Sequence, residues 1–146
     1  MIALLQRVNW AQIHIAGQLS ARIDRGLLVL LGIERDDNEA KADRLLQRLL
    51  DYRVFPDAEG RMNLSLRDVQ GELLLVSQFT LAATTDKGLR PGFSSAMAPP
   101  QAELLYDYVV SQAGKESVRL ATGRFGADMQ VALENDGPVT LSLRVA

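Results

Sequence analysis

Leu27-Leu28-Val29-Leu30-Leu31-Gly32-Ile33 is the stretch that decides the fold. Every side chain in it is apolar or absent, with no polar residue to mark a solvent face. A strand that is covered on both sides reads this way, whereas a half-exposed strand alternates. The run is far too short for a bilayer, which needs about 20 residues of helix. Residues 72–78, Glu72-Leu73-Leu74-Leu75-Val76-Ser77-Gln78, read as a second strand of the same kind. This one ends by carrying Ser77 and Gln78 out of the core.

Working outward, residues 2–8 read as a strand. Residues 10–16 alternate, with Trp10, Gln12 and His14 on one face and Ala11, Ile13 and Ile15 on the other. Gly17-Gln18 marks a turn, so the chain opens on a hairpin. After the central run, Asp36 or Asp37 is expected to cap a helix that starts near Asn38. Ala42, Leu45, Leu46, Leu49 and Tyr52 or Arg53 then recur at helical spacing. Pro56 to Gly60 is a turn. Residues 82–98 form a long loop rich in Thr, Gly, Ser and Pro, and loops of that length are usually functional or mobile. Pro99-Pro100 opens a second helix, with Leu104, Leu105, Tyr108 and Val109 expected inward. Residues 128–134 and 139–145 alternate as strands, joined by Asn135-Asp136-Gly137-Pro138. The sum is about seven strands and two helices. The expected class is α/β: a mixed, largely antiparallel, barrel-like sheet with two main helices packed on it, in one domain over residues 1–146.

Composition limits the chemistry. The 146 residues are 47% hydrophobic and 23% charged, the balance of a globular protein with a real core. There is no cysteine, which removes disulfides, thiolate nucleophiles and Cys-based metal sites. The net charge of −2 argues against coating nucleic acid through a broad basic face. It leaves room for recognising one small piece of RNA, such as a chain end. No basic segment followed by a long apolar run opens the chain, so a cytoplasmic protein without membrane contact is expected.

Two short segments place polar or backbone-forming residues where a strand meets a loop: Ser77-Gln78-Phe79-Thr80-Leu81 and Asn135-Asp136-Gly137-Pro138-Val139-Thr140. Neither holds an obvious acid, base or metal ligand. Ser77 and Thr80 carry hydroxyls, but a hydroxyl attacks only with a base beside it; the plainer reading is that they shape the strand end. Successive amides at a tight turn can instead converge as an oxyanion hole. Gly137-Pro138 taken alone is a common turn dipeptide. His14, the only histidine, sits on an alternating strand and reads as a surface or interface residue. Glu34, Asp36, Asp37 and Glu39 read as a solvated helix cap favoured by the helix dipole. No metal and no cofactor are expected.

Taken together, the two segments resemble the signature motifs of the D-aminoacyl-tRNA deacylases. The resemblance runs through the chain in order: IALLQRV at 2–8, GLLVLLGIE at 26–34, RVFPDAEGRMNLS at 53–65, RPGFSSA at 90–96, LYDY at 105–108 and TGRFGADMQV at 122–131. It implies a hydrolase that frees tRNA from D-amino acids, and from glycine on a noncognate tRNA, by cleaving the ester at the 3′-terminal adenosine. It implies a two-fold homodimer with sites at the subunit interface. Gly137-Pro138 would be cis and reach the partner's pocket, where its carbonyls face the substrate's chiral centre and exclude L side chains.

The resemblance further implies that the amides around Phe79 and Thr80 hold the oxyanion while Ser77 and Gln78 shape the pocket. The reaction would rely on assistance from the terminal ribose 2′-hydroxyl rather than on a protein nucleophile. Arg7 would pin the Gly-Pro loop, or be an ordinary strand-end charge. Phe125 and Met129 would pack near the adenine or the cross-subunit loop, or be plain core. Lys87 and Arg90 could meet acceptor-end phosphates. Two alternatives stay open: a hydrolase with Thr80 as nucleophile, and a non-catalytic module that binds the aminoacyl end of tRNA.

Overall fold

The computed structural model describes residues 1–146. Its central strand is the apolar run, β3 (Gly26–Gly32). It lies between β1 (Ile2–Ile15), which runs antiparallel to it, and β6 (Glu72–Ser77), which runs parallel. Beyond β6 lies β7 (Leu120–Thr122), again parallel. The far half of β1 pairs with β2 (Gln18–Ile23) through the expected hairpin. Along its other edge β1 pairs with β8 (Gln130–Arg144). The main sheet is thus mixed and curls into a nearly closed barrel, as the sequence led us to expect.

Both faces of β3 and β6 are covered, which accounts for their unbroken apolar composition. Leu27, Val29, Leu31, Leu73 and Leu75 point to one layer, formed by α1 (Glu39–Asp51) and α2 (Pro99–Gly114). Leu28, Leu74 and Val76 point the other way, to Val8, Ala11, Ile13 and Ile23 inside the curl of the sheet. Each fully buried Leu or Val in these layers contributes about 2 kcal/mol. Gly26 is obligatory at the mouth of the β3–β6 pair: a Cβ there would stand 1.8 Å from the Glu72 carbonyl oxygen. The parallel pairings require long crossovers. The first contains α1 and the small hairpin β4 (Phe55–Pro56) and β5 (Met62–Leu64); the second contains α2. No helix is long and apolar enough to cross a membrane.

The structure corrects four local expectations. Residues 2–8 and 10–16 belong to one strand, and so do the strands expected at 128–134 and 139–145. Gln6 pairs with Thr140 and Val8 with Asn135, so residues 136–139 bulge out of β8 opposite Arg7 without reversing the chain. Asn38, not Asp36 or Asp37, caps α1, its side chain accepting from the Lys41 amide at 3.0 Å. Asp37 is drawn away by the Met1 ammonium, which donates to it at 2.7 Å, to Glu34 at 2.9 Å and to the Val145 carbonyl at 2.9 Å. The acidic cluster is therefore partly a buried clasp on the chain start rather than a solvated cap. On α2, Leu104 is exposed and Tyr106 is buried in its stead.

Candidate active site

The cleft begins where β6 ends. Ser77 is the last strand residue, and the Gln78 amide still donates to the Leu31 carbonyl at 2.8 Å. The chain then winds into a single 3-10 turn, Phe79–Ala82, in which the Leu81 amide donates to the Gln78 carbonyl at 3.2 Å. Between these engaged amides lie those of Phe79 and Thr80. They occupy the first turn of the helix, where N–H groups have no partner within it. The Gln78 side-chain amide donates to the Thr80 hydroxyl.

A cavity of about 620 Å³ opens over this turn, with mainly apolar walls. Ser77, Gln78, Phe79, Phe125 and Met129 all line it, so the structure gathers five of the sequence-selected residues in one place. Thr80 stands beside it on the same turn, exposed. The cavity's one ionisable lining residue is Asp128, which is exposed. Phe93, which sequence reasoning quoted within RPGFSSA but assigned no role, forms the rim with Phe79. Their ring centroids are 5.0 Å apart, and Phe79 stays 60% exposed, an unusual position for a large apolar side chain unless something covers it.

Tyr106 supports the back wall. Its hydroxyl donates to the Leu75 carbonyl at 3.0 Å and approaches the Gly123 carbonyl at 3.4 Å, joining the ends of β6 and β7. Its ring lies 6.0 Å from that of Phe125. Burial, then the charge of Asp107, pushes the phenol up to about 12, so it stays a proton donor. Met129 is held from both sides: its sulfur accepts from the Arg124 amide at 3.4 Å and sits against Gly123. No three His, Cys, Asp or Glu side chains converge as a metal-ligand set.

Arg7, Gly137 and Pro138 lie elsewhere. None of them lines the cavity. They form a second cluster around the bulge in β8. The Arg7 Nε–H donates to the Asp136 carbonyl at 3.2 Å and pairs with its carboxylate at 3.1 Å. Arg7 Nη1 donates to the Val54 carbonyl at 2.6 Å. Gly137 has φ +128°, and the Gly137–Pro138 peptide is cis. Both residues are exposed at the tip of the bulge. Asn135 was quoted only as part of its motif. It closes the base: its Oδ1 accepts from the Val139 amide at 3.1 Å, and its Nδ2 donates to the Thr140 hydroxyl at 2.8 Å.

Residues 4–144 match the family described as D-Tyr-tRNA(Tyr) deacylase. A D-aminoacyl-tRNA deacylase of Citrobacter koseri is 56% identical over 145 residues, 99% of this chain and 100% of that one. A D-aminoacyl-tRNA deacylase of Stutzerimonas stutzeri is 57% identical over 143 residues, 98% of this chain and 99% of its own. Among solved structures, the c-Myc DNA Unwinding Element Binding Protein superposes with a TM-score of 0.94 at 39% identity, covering 100% of this chain and 99% of that one. A probable eukaryotic D-amino acid tRNA deacylase shares the fold, with a TM-score of 0.81 at 20% identity over 97% of each chain.

Proposed function

This chain belongs to the D-Tyr-tRNA(Tyr) deacylase family, and from that premise we infer how its two residue clusters divide one reaction. The activity is hydrolysis of D-aminoacyl-tRNA, a proofreading step that returns the tRNA to use. Glycine on a noncognate tRNA is a further substrate in this reading, because it carries no side chain to exclude. Residues 1–146 act as one deacylase domain in the cytoplasm.

The cavity over Phe79–Ala82 takes the aminoacylated terminal adenosine. Water adds to the ester carbonyl carbon, and the carbonyl oxygen gains negative charge facing the Phe79 and Thr80 amides. Collapse expels the ribose 3′ oxygen, which takes up a proton. The neighbouring 2′-hydroxyl of the RNA assists the proton movement. Ser77 and Gln78 shape the pocket floor, and Phe125 and Met129 pack against the nucleoside. The observation that carries this reading is the pairing of turn amides with a wall whose single ionisable group is exposed. The Thr80 hydroxyl is engaged by an amide and not by a base, which argues against its use as a nucleophile.

Selection belongs to the second cluster, delivered from a partner in a two-fold homodimer. Gly137 and Pro138 are exposed and lie outside the cavity of their own chain, on a strand that pairs with β1 along one edge only. Such an edge favours pairing with a second copy. In the dimer, fixed loop backbone occupies the space an L side chain would need. Excluding the wrong substrate by a clash is effective when the obstacle cannot swing aside.

The deciding experiment charges one tRNA with D-, L- and glycyl residues, with and without a 2′-hydroxyl on the terminal adenosine. Wild type should release D-amino acid and glycine but not L-amino acid, and should fail on the 2′-deoxy substrate. Thr80→Ala should keep turnover within about tenfold if amides do the work. Loss of turnover in Thr80→Ala together with a trapped covalent adduct in wild type would sink the amide mechanism.

A further inference from the structure

Next to the cavity rim the chain forms a small closed loop. The Thr84 amide donates to the Gly92 carbonyl at 2.7 Å, and the Gly92 amide donates back at 2.9 Å. Residues 85–91 are pinched off by this pair and are exposed throughout, with Gly88 at φ +72° making the turn. The loop hangs on the site at both feet. Thr84 follows the Phe79–Ala82 turn, and Gly92 precedes Phe93, whose ring packs at a tilt against that of Phe79.

Its composition is unusual for a chain of net charge −2. Lys87 and Arg90 project from it, and neither belongs to an ion pair. Leu89 between them is 103% exposed. Arg35, whose guanidinium donates to the Ser94 carbonyl, and Arg124, beside Phe125, are likewise without carboxylate partners. Of the acids near them along the chain, Glu34 and Asp37 are engaged by the Met1 ammonium, which leaves Asp36, Asp86 and Asp128 against the four cations. Positive charge left unpaired at the mouth of an apolar cleft attracts an anion attached to whatever fills that cleft.

We propose that the loop at 85–91 docks the phosphodiester backbone of the RNA strand immediately behind the terminal nucleoside. Lys87 and Arg90 meet its phosphates, and Leu89 meets an unstacked base. This rests on the deacylase reading, since it is the aminoacyl adenosine in the cleft that brings phosphates to the rim. Contacts of this kind position a strand without reading its sequence. The loop therefore serves any tRNA and adds affinity rather than chemistry.

The test is the double variant Lys87→Glu, Arg90→Glu in the full chain, assayed on D-aminoacyl-tRNA and on D-aminoacyl-adenosine, which has no phosphate. With tRNA at low salt, kcat/KM should fall by about tenfold or more, mainly through KM, and its log–log salt slope should become shallower by about 0.7 per lost phosphate contact. Turnover of the adenosine ester should stay at the wild-type level. An unchanged tRNA response and salt slope would overturn the proposal, and so would equal losses on both substrates. Binding of uncharged tRNA, followed by anisotropy against salt, keeps the two claims separate. If wild type cleaves neither ester, the deacylase reading fails, while weaker and less salt-sensitive RNA binding by the double variant still supports the loop's role. Identical binding would refute it.

Discussion

Asn135 and Thr140 are tied together across the loop they flank, the Asn135 Nδ2 donating to the Thr140 hydroxyl at 2.8 Å. The same Thr140 oxygen accepts from Gln6 Nε2 at 3.3 Å, and the Asn135 Oδ1 accepts from the Val139 amide at 3.1 Å. The bulge carrying Gly137 and Pro138 is thereby clasped at its base and fixed to β1. In the proposed role of an obstacle the loop needs such a restraint, because Gly137 and Pro138 at its tip are exposed.

Asn135→Ala removes both clasping bonds. The stability cost should be about 1 kcal/mol, because these groups are near solvent and water replaces part of what is lost. Selectivity should suffer more. The ratio of kcat/KM for D- over L-aminoacyl-tRNA is expected to drop by about tenfold, which corresponds to about 1.4 kcal/mol of lost discrimination. Asn135→Asp keeps the acceptor for the Val139 amide, and the Thr140 hydroxyl can turn to donate to it. It should recover much of the ratio, whereas an undiminished ratio in Asn135→Ala would show that the clasp is irrelevant to selection.

Arg7→Lys tests the second restraint. The guanidinium spans two targets, with Nε toward Asp136 and Nη1 on the Val54 carbonyl. A lysine ammonium is a point charge on a flexible stem and cannot reproduce that fork. Arg7 is only 9% exposed, so an unmet partner is left in a nearly dry setting. The expected loss is about 2 kcal/mol in thermal or urea unfolding, with D/L selectivity falling alongside it.

Gly137→Ala should be more disruptive at the tip. Its φ of +128° lies where L side chains are strained. An added Cβ would also come within 2.8 Å of Val139 Cγ2 and 3.2 Å of Arg7 Nη2. Strain of about 1–3 kcal/mol is expected, relieved by moving the loop. Deacylation kinetics should show the altered D/L ratio even where circular dichroism reports a native fold.

How much of this was written legibly in the sequence depends on the range of the forces involved. The apolar runs at 27–33 and 72–78 disclosed strands buried on both faces, because Leu27 and Leu28 need different layers and both layers are dry. The cap of α1 was misread because Asp37 answers to the Met1 ammonium, a partner 36 residues away that no local pattern reveals. Asn135-Asp136-Gly137-Pro138 looks the same in a reversing turn as in a bulge. Only the pairing of both flanks with β1 distinguishes the two. On α2, Leu104 was expected inward and Tyr106 was passed over, yet Tyr106 is the buried one. The carbonyls of Leu75 and Gly123 favour the side chain with a hydroxyl. The two motifs were visible as motifs, and the resemblance already implied that Gly137-Pro138 serves a partner's pocket; the structure adds that both residues lie outside this chain's own cavity.

Tyr106→Phe isolates that hydroxyl. The Leu75 carbonyl keeps a second donor, the Gly123 amide at 2.9 Å, so the loss should be about 1 kcal/mol rather than a full desolvation penalty. The ring would remain against Phe125, so KM should change little and the unfolding midpoint should fall. Because the phenol is pushed up to about 12 from 10.0, its stabilising effect is present below pH 10 and declines as the pH rises through the raised value. The gap between wild type and variant should therefore narrow in strong alkali. A gap that widened there would contradict a buried, protonated phenol.

The acid limb of stability should be set by half-buried or exposed carboxylates that do not line the cleft. Arg67 donates to Glu116 and to Asp51, each at 2.8 Å, and Gln47 donates to Glu116 at 3.1 Å. The hydrogen bond from Arg67, followed by that from Gln47, holds the Glu116 carboxyl below its ordinary value of 4.5. Asp57, through Asn63 and the Arg61 amide, and Asp68, through Ser65, are lowered in the same direction. A carboxyl lowered by folding contributes stability above its unfolded pKa and loses it as the pH falls through the folded one. Glu116→Gln should thus cost within about 1 kcal/mol at pH 7, where the pair is solvent-screened. Unfolding midpoints measured from pH 7 down to about 3 should decline less steeply in the variant than in wild type, since one of the linked protons has been removed. Parallel curves would mean that Arg67 and Glu116 are not coupled in solution, and would shift the acid sensitivity to Asp57 and Asp68.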